Sequence, residues 1–459
     1  MTGTRPKLSW SDLSGARVGV WGLGREGMAT IRKLRAIGAH PVLVDDRPQA
    51  VAVDGLPVLT TGYGGLAALE KCHVVIRSPG ISRYRPEVQR LAERGVPVAG
   101  GLGLWLREAD PARVLLITGT KGKSTTAAVT GHLLTGLGHR CQVGGNIGQP
   151  PWDPGGDPAG PASSPGATAP PGYWVIEVSS YQATDLSCSP PVVAVTSLHP
   201  DHLDWHGGVE NYYRDKLSVC SQPGADLTVA NGDSDLLRER VSLLGPRVEW
   251  IRASGDPAAT WMEPLGLLGG HNRRNALIAR ACLRALGIAA ASDDAALRAA
   301  AGGFRHLDHR LEVAGEVAGV TFVDDSLSTN VLPTLAALDA FPGRRVALIA
   351  GGHDRGIDYA PLAAGLRDRT AATLVLTLPG SGPRIRREIE SAPGSSGLAG
   401  VADCPDLDSA VARGFAWARP DGVVLLSPAA PSFGRFRDYR ERGEAFTRAM
   451  QACRASLPA

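Results

Sequence analysis

Residues 114–130, VLLITGTKGKSTTAAVT, constrain this chain more than any other stretch. The apolar, β-branched run 114–117 reads as a strand. It turns through Gly119, Thr120, Lys121, Gly122, Lys123, Ser124 and Thr125 into a helical pattern of small residues. Strand, glycine loop and helix together aim backbone N–H groups and a helix N-terminus at a phosphate. In that setting Lys123 reaches the β- and γ-phosphates, and the hydroxyl of Ser124 or Thr125 holds Mg²⁺. The loop is shorter than the usual G-x-x-x-x-G-K-[ST], because only Thr120 and Lys121 separate Gly119 from Gly122. An ordinary strand-to-helix turn has no need of glycine, lysine and hydroxyl in this order.

A chain of 459 residues has room for about two to four domains. The net charge of +3 gives no reason to expect nucleic acid or an anionic membrane surface as partner. The opening MTGTRPKLSW lacks an apolar signal-peptide core, and no apolar run approaches a membrane span. The seven cysteines are dispersed without a C-x-x-C pair, as expected of reduced thiols in a cytoplasmic protein. Of 48 basic residues only Lys7, Lys33, Lys71, Lys121, Lys123 and Lys216 are lysine. A chain that otherwise writes arginine draws attention to these lysines as candidates for chemistry a guanidinium cannot do.

Residues 17–21, RVGVW, read as a strand. Gly22-Leu23-Gly24-Arg25-Glu26-Gly27 follows, then a helical pattern to Ile37 and a strand over 41–44 ending in Asp45, Asp46 and Arg47. Such a G-x-G-x-x-G turn with an acidic residue about twenty positions on accepts a dinucleotide, but equally any phosphate or sugar nucleotide. A strand over 73–78 ends in SPGIS, which contains Gly80. Residues 1–109 are thus expected to form one Rossmann-like domain. The phosphate loop opens a second α/β domain, 110–308. Within it, GGNIG carries Asn146, and 149–172 is a Pro/Gly/Ala/Ser-rich stretch expected to be a flexible surface insertion. The next strand, 173–176, ends at Glu177 in EVSSYQ. The strand 191–197 runs into HPDHLDWHG, with His202. Lys216 follows 14 residues later on a helix beginning near Val209. Carboxylates and imidazoles at strand C-termini beside a phosphate loop are where Mg²⁺ is held, although His202 alone could be an ordinary surface histidine. In GGHNRRN, Asn272 and Asn275 share a helix face, and Asn272 could simply cap that helix. A third doubly wound α/β unit, 309–459, has strands expected at 345–350, 373–378 and 422–427.

The ordered set GTKGKSTT, GGNIG, EVSSYQ, HPDHLDWHG with Lys216, GGHNRRN, HRLE, DDSLSTN, GGHDRG and SPAAPSFGRFRDYRERG resembles the Mur ligases of peptidoglycan synthesis. GLGREG, SPGIS and SPAAPSF look like the MurD type. The resemblance implies three α/β domains and ATP-dependent addition of glutamate to UDP-N-acetylmuramoyl-L-alanine through an acyl phosphate. It implies catalytic roles for Lys123, Glu177, His202 and Lys216, and Mg²⁺ on Ser124, Glu177, His202 and a carbamylated Lys216. It places ATP on Gly119–Thr125, Asn272, Asn275, Arg310 and Asp325. The UDP substrate would meet Arg25, Glu26, Asp45, Asp46, Arg47, Gly80, Asn146 and His202. Thr329, Arg355, Ser432, Phe433 and Tyr439 would line the glutamate pocket. A monomer without nucleic acid or membrane partners is expected.

Two positions depart from the D-glutamate branch. Leu327 stands where that branch has the lysine of its DSKAT motif, and Arg355 replaces the lysine of its glycine-rich loop. DDSLST, GGHDRG and SRYRPE look more like the branch that adds L-glutamate, whose product a separate epimerase inverts. An NAD-dependent dehydrogenase would use GLGREG and Asp45 but leave Glu177 and Lys216 without a task. A non-catalytic nucleotide switch would account for the middle domain only. Another amide ligase, such as a folylpolyglutamate synthetase, fits the chemistry but not the first domain. Replacing Lys123 by alanine is expected to lower ligation about 100-fold or more, because the β/γ-phosphate clamp is lost; ATP-dependent phosphate release measures it.

Overall fold

The computed structural model describes residues 5–155, 172–254, 259–391 and 397–456. Residues up to Leu265 together with Arg274–Phe304 form one compact unit, and Gly266–Arg273 with the residues from Arg305 onward form a second. The first unit holds two six-stranded sheets and the second holds one.

The first sheet orders its strands Ala52–Val53, Leu56–Thr60, His40–Asp45, Arg17–Trp21, Val74–Arg77 and Val98–Ala99. Arg17–Trp21 pairs in parallel with a neighbour on each side, so it is buried on both faces and reads as the near-continuous apolar run RVGVW. Its C-terminal turn feeds helix Arg25–Ala36. Gly27 is obligatory there, because a Cβ would run into the Gly22 carbonyl oxygen.

The second sheet is parallel throughout, in the order Arg247–Ile251, Leu227–Asn231, Val192–Val195, Val114–Thr118, Tyr173–Glu177 and Cys141–Gly145. Strand order reverses direction about Val114–Thr118. The crevice beyond the strand C-termini at such a point is where open α/β sheets bind ligands. The phosphate loop, Glu177 and the 196–202 segment all leave the sheet there.

One hydrophobic core runs through both sheets of this unit, from Val18, Leu43 and Ile76 through Leu102, Leu104, Trp152 and Leu186 to Val193 and Ala230. The linking helix Gly101–Leu106 is almost wholly buried. Of the stretch expected as a flexible insertion, residues 149–155 are described, and part of them is packed. Trp152 packs against Gly101 and lies near Trp10, and Arg32 pairs with Asp153. One tryptophan supplies apolar area that the surrounding Pro/Gly composition conceals. Residues 156–171 lie outside the described residues.

The second unit carries the third sheet, Glu312–Val317, Val320–Asp324, Val423–Leu426, Val346–Ala350, Thr373–Thr377 and Leu398–Asp403, antiparallel only at its first pair. Separate cores cover its two faces. No helix among the described residues is long and apolar enough to cross a membrane.

Between the first two sheets sits a buried ion pair, Arg77 Nη2 to Asp185 Oδ1 at 2.7 Å, with Thr184 Oγ1 also accepting from Arg77. Removing one partner strands a buried charge. Arg77→Leu is expected to cost about 3–5 kcal/mol, and Arg77→Leu/Asp185→Leu to recover most of it; urea unfolding of both variants measures this.

Candidate active site

The phosphate loop closes on itself through the neighbouring strand end. The Thr120 amide donates to the Ser197 carbonyl, the Lys121 amide to Ser197 Oγ, and Thr196 Oγ1 to the Lys121 carbonyl at 2.6 Å. Gly119 has φ +137°, and a Cβ there would overlap Thr196 Oγ1 and the backbone nitrogens of Thr196 and Ser197. Gly122 has φ +87° and caps helix Lys123–Gly136; a Cβ would sit 2.8 Å from Asn275 Oδ1. Both glycines therefore answer positive φ and close approach together. Asn275 is thereby placed against the loop.

Two lysines lean on this loop. Lys123 Nζ donates to the Thr120 carbonyl and Lys216 Nζ to the Gly119 carbonyl, each at 3.0 Å. Lys216 is 2% exposed, on helix Val209–Leu217. Burial lowers its pKa well below the ordinary lysine value, and Lys123 adds to the effect. Glu177 lies across the loop. Its Oε2 accepts from Ser124 Oγ at 2.6 Å and its Oε1 from Asn146 Nδ2 at 2.9 Å. Ser124, Glu177, Lys123 and Lys216 are thus brought together as the sequence suggested, and Asn146 with them.

His202 heads the short helix Leu203–His206 at φ +52°, a strained backbone for a non-glycine residue. Its ring lies 5.0 Å from that of Tyr181, and burial lowers its pKa. Asp201, which sequence reasoning passed over, lies 3.5 Å from Lys121. Burial alone would raise its pKa, but Lys121, His202 and Lys216 outweigh that and hold it below the carboxylate norm. Its place inside HPDHLDWHG was the available signal.

The donor set at the loop's mouth, one hydroxyl and one carboxylate oxygen, fits Mg²⁺, which takes few protein oxygens and completes its shell with phosphates and water. Among the described residues no three His, Cys, Asp or Glu side chains form a metal cage.

In the first domain several of the candidates make contacts within the scaffold. Arg25 donates to the carbonyls of Gly145, Asn146 and Gly148, tying its helix start to the central domain. Glu26 accepts from Gln182, and burial pushes its pKa up to about 7. Asp45 accepts from the amides of Leu23 and Arg47, and Asp46 from Thr61 and Arg85. Arg47 and Gly80 stand exposed at the rim.

In the second unit, Arg310 is flanked by His309 and Leu311, at φ +62° and +50°. His309 Nδ1 meets Asp324 Oδ2 at 2.7 Å, and the Leu311 amide donates to Asp325 Oδ1. Asp325 Oδ2 accepts from Ser427 Oγ at 2.7 Å. Asp325 therefore holds the HRLE turn in place. Asn272 donates to the Leu268 carbonyl from the first turn of helix Gly270–Ala285. Arg355 lies over Phe433 with His353 beside it, and Ser432 is buried. Tyr439 sits against His309, and its carbonyl accepts from Ser326; Thr329 is half-buried on the loop after Asp324. Arg442, also missed from sequence, donates to Ser326 and to the Ala430 carbonyl, joining DDSLST to SPAAPS.

Three family models match in chain order: a Mur ligase MurD-like N-terminal domain over 16–100, a Mur ligase middle domain over 117–249, and a Mur ligase glutamate ligase domain over 309–430. The UDP-N-acetylmuramoyl-L-alanine–L-glutamate ligase of a Micromonospora strain is 41% identical, covering 96% of this chain and 98% of that protein. The ligase of the same name from Salinispora tropica is 38% identical, covering 96% and 98%. The solved UDP-N-acetylmuramate–alanine ligase MurC of Thermotoga maritima shares the three-domain fold, with TM-score 0.55 at 18% identity over 95% of this chain and 99% of that one. A P-loop amide-ligase architecture is what fold and site define; the chain belongs to the Mur ligase family, on its MurD-like branch.

Two outcomes follow from these contacts. Lys216→Arg is expected to lose about 100-fold or more in phosphate release, because a larger, permanently charged guanidinium replaces a buried amine. Burial raises the pKa of Asp325 to about 7. The folded state then binds a proton that the unfolded state has released above its ordinary carboxylate pKa. Stability should fall as pH rises from about 4 to about 7, by at most about 1.4 kcal/mol per unit, and level off above. Asp325→Asn should flatten that slope in thermal melts between pH 5 and 8.

Proposed function

We infer that this chain joins L-glutamate to UDP-N-acetylmuramoyl-L-alanine at the expense of ATP. The coarser activity, an ATP-dependent ligase adding glutamate to that acceptor, follows from family membership. The observation that carries the catalytic reading is the phosphate loop's mouth, where Ser124 and Glu177 share a hydrogen bond and two lysines lie on the loop carbonyls. Phosphoryl transfer asks a protein for positioning and charge neutralisation more than for covalent help.

The acceptor's carboxylate oxygen attacks the γ-phosphorus, and the bond to the β-phosphate oxygen breaks, releasing ADP. The glutamate nitrogen, having lost a proton to solvent, attacks the acyl carbon; it gives up a second proton to solvent, and phosphate leaves with the C–O bond electrons. Lys123 is the group that neutralises charge on the transferring phosphoryl. The loop amides orient it. Mg²⁺, when bound, supplies further charge neutralisation, and Ser124 and Glu177 are the residues that would hold it, with His202 and a carbamylated Lys216 completing the set. Asn146 fixes Glu177. The first domain's Asp45, Asp46, Arg47 and Gly80 are assigned to the nucleotide end of the acceptor. Asn272, Asn275, Arg310 and Asp325 are assigned to ATP.

The L-stereochemistry is supported by Leu327 and Arg355 at the two positions where D-glutamate enzymes carry lysine, and by the names of the two relatives above. With Thr329, Ser432, Phe433 and Tyr439, these form the assigned amino-acid pocket. An L-alanyl-L-glutamate product would require a separate epimerase before use as an L-alanyl-D-glutamate unit. Leu327→Lys is expected to raise turnover with D-glutamate relative to L-glutamate by about tenfold, one added cation beside a carboxylate being worth on the order of 1–2 kcal/mol. Parallel kcat/KM measurements with the two enantiomers check it; an unchanged ratio removes this basis for the stereochemical choice.

A further inference from the structure

Three consecutive side chains of the first domain donate to the central domain. Ser82 Oγ reaches the Trp205 carbonyl, Arg83 the Thr184 carbonyl, and Tyr84 Oη reaches Asp215 Oδ2 at 2.8 Å. Arg85, next in line, turns back to Asp46 and lays its guanidinium over Trp21 at 5.1 Å. The segment thus connects a residue assigned to the nucleotide-sugar end with Asp215, which immediately precedes Lys216 on helix Val209–Leu217.

Asp215 is no ordinary surface acceptor. The same Oδ2 lies 2.7 Å from His206 Nδ1, and His206 Nε2 lies 3.0 Å from Ser180 Oγ. His206 is fully buried, and Ser180 opens the short helix that follows Glu177. A Ser–His–Asp row has the arrangement of a hydrolytic nucleophile, but Ser180 is 2% exposed, so no substrate reaches its oxygen. The row instead braces two strand-end segments: the one that follows Glu177 and the helix that carries Lys216. Tyr84 donates into it from the first domain.

We propose that Tyr84, acting through Asp215, couples occupancy of the first domain's nucleotide-sugar site to the placement of Lys216 under the phosphate loop, and so to nucleotide affinity. This rests on the function inferred above. Asp215 and Lys216 are consecutive on one helix, and Lys216 donates to the Gly119 carbonyl, so a displacement at Asp215 is transmitted to the loop. Coupling of this kind is reciprocal: each ligand tightens the other by the same factor. Tyr84 is a positioning residue. It needs no contact with either ligand.

Calorimetric titration of the whole chain tests this with two probes, ADP with Mg²⁺ and UDP-N-acetylmuramoyl-L-alanine, each alone and with the other at saturation. The unaltered protein should bind each probe about five- to tenfold more tightly in the presence of the other. Tyr84→Phe keeps the ring beside Trp205 and removes only the hydroxyl. It should reduce the coupling to less than about twofold while leaving each single affinity within about twofold. Adding Asp215→Asn to Tyr84→Phe should remove nothing more; if Asp215→Asn does not fold, Tyr84→Phe alone decides. Coupling retained in Tyr84→Phe, or absent from the unaltered protein while both probes bind, overturns the relay and leaves the ligase reading intact. Failure of both probes to bind overturns both.

Discussion

A lysine ammonium removed from water is costly unless something compensates it. Lys216 is such a lysine, inside a cluster that already contains Lys123 and Lys121. Its ammonium donates to the Gly119 carbonyl, at the start of the phosphate loop. Much of the central domain's local structure follows from this constraint. Helix Val209–Leu217 is held by its neighbour Asp215, which is itself shared with Tyr84 and His206. Asp201 keeps its charge by facing Lys121 and Lys216. Tyr212 puts its ring face 5.1 Å from the Lys216 nitrogen and its hydroxyl against Thr120 of the loop. A buried amine with its pKa lowered is also the form of lysine that can be chemically modified, which arginine cannot imitate.

The sheet around it supplies rigidity. Val114–Thr118 has parallel neighbours on both sides, and its side chains are buried throughout. Thr118, Glu177 and Val195 end side by side, so the ladder sets where the loops that follow begin, and contacts such as the Thr120 amide to the Ser197 carbonyl close them. The strained backbone at His202, His309, Leu311 and Ala429 falls in these strand-end loops or in the corresponding turns of the second unit. Strain persists where surrounding structure over-determines it, and it gathers at working loops.

Much of this was legible in the sequence because parallel strands buried on both faces announce themselves as short apolar runs ended by a glycine or a polar residue. The strands at 17–21, 114–118 and 173–177 came through within a residue or two for that reason. The short pairs Ala52–Val53 and Val98–Ala99 did not, being too brief to show a period. In the site, Lys123, Ser124 and Glu177 were readable from motif spacing. Tyr84, His206, Asp215 and Arg442 were not, since their significance lies in partners 9 to 131 positions away. Trp152 was hidden by its Pro/Gly surroundings. Arg25 also ties the Gly145, Asn146 and Gly148 carbonyls to the start of its helix, a use that no spacing rule reveals.

The central claim is that a phosphoryl group passes from ATP to the carboxylate of UDP-N-acetylmuramoyl-L-alanine and that L-glutamate then displaces it. Phosphate release by the purified chain, with that acceptor and either enantiomer of glutamate, tests it most directly. Rapid release with L-glutamate and slow release with D-glutamate is the predicted result. No release with either enantiomer would contradict the account, and equal or faster release with D-glutamate would contradict its stereochemistry.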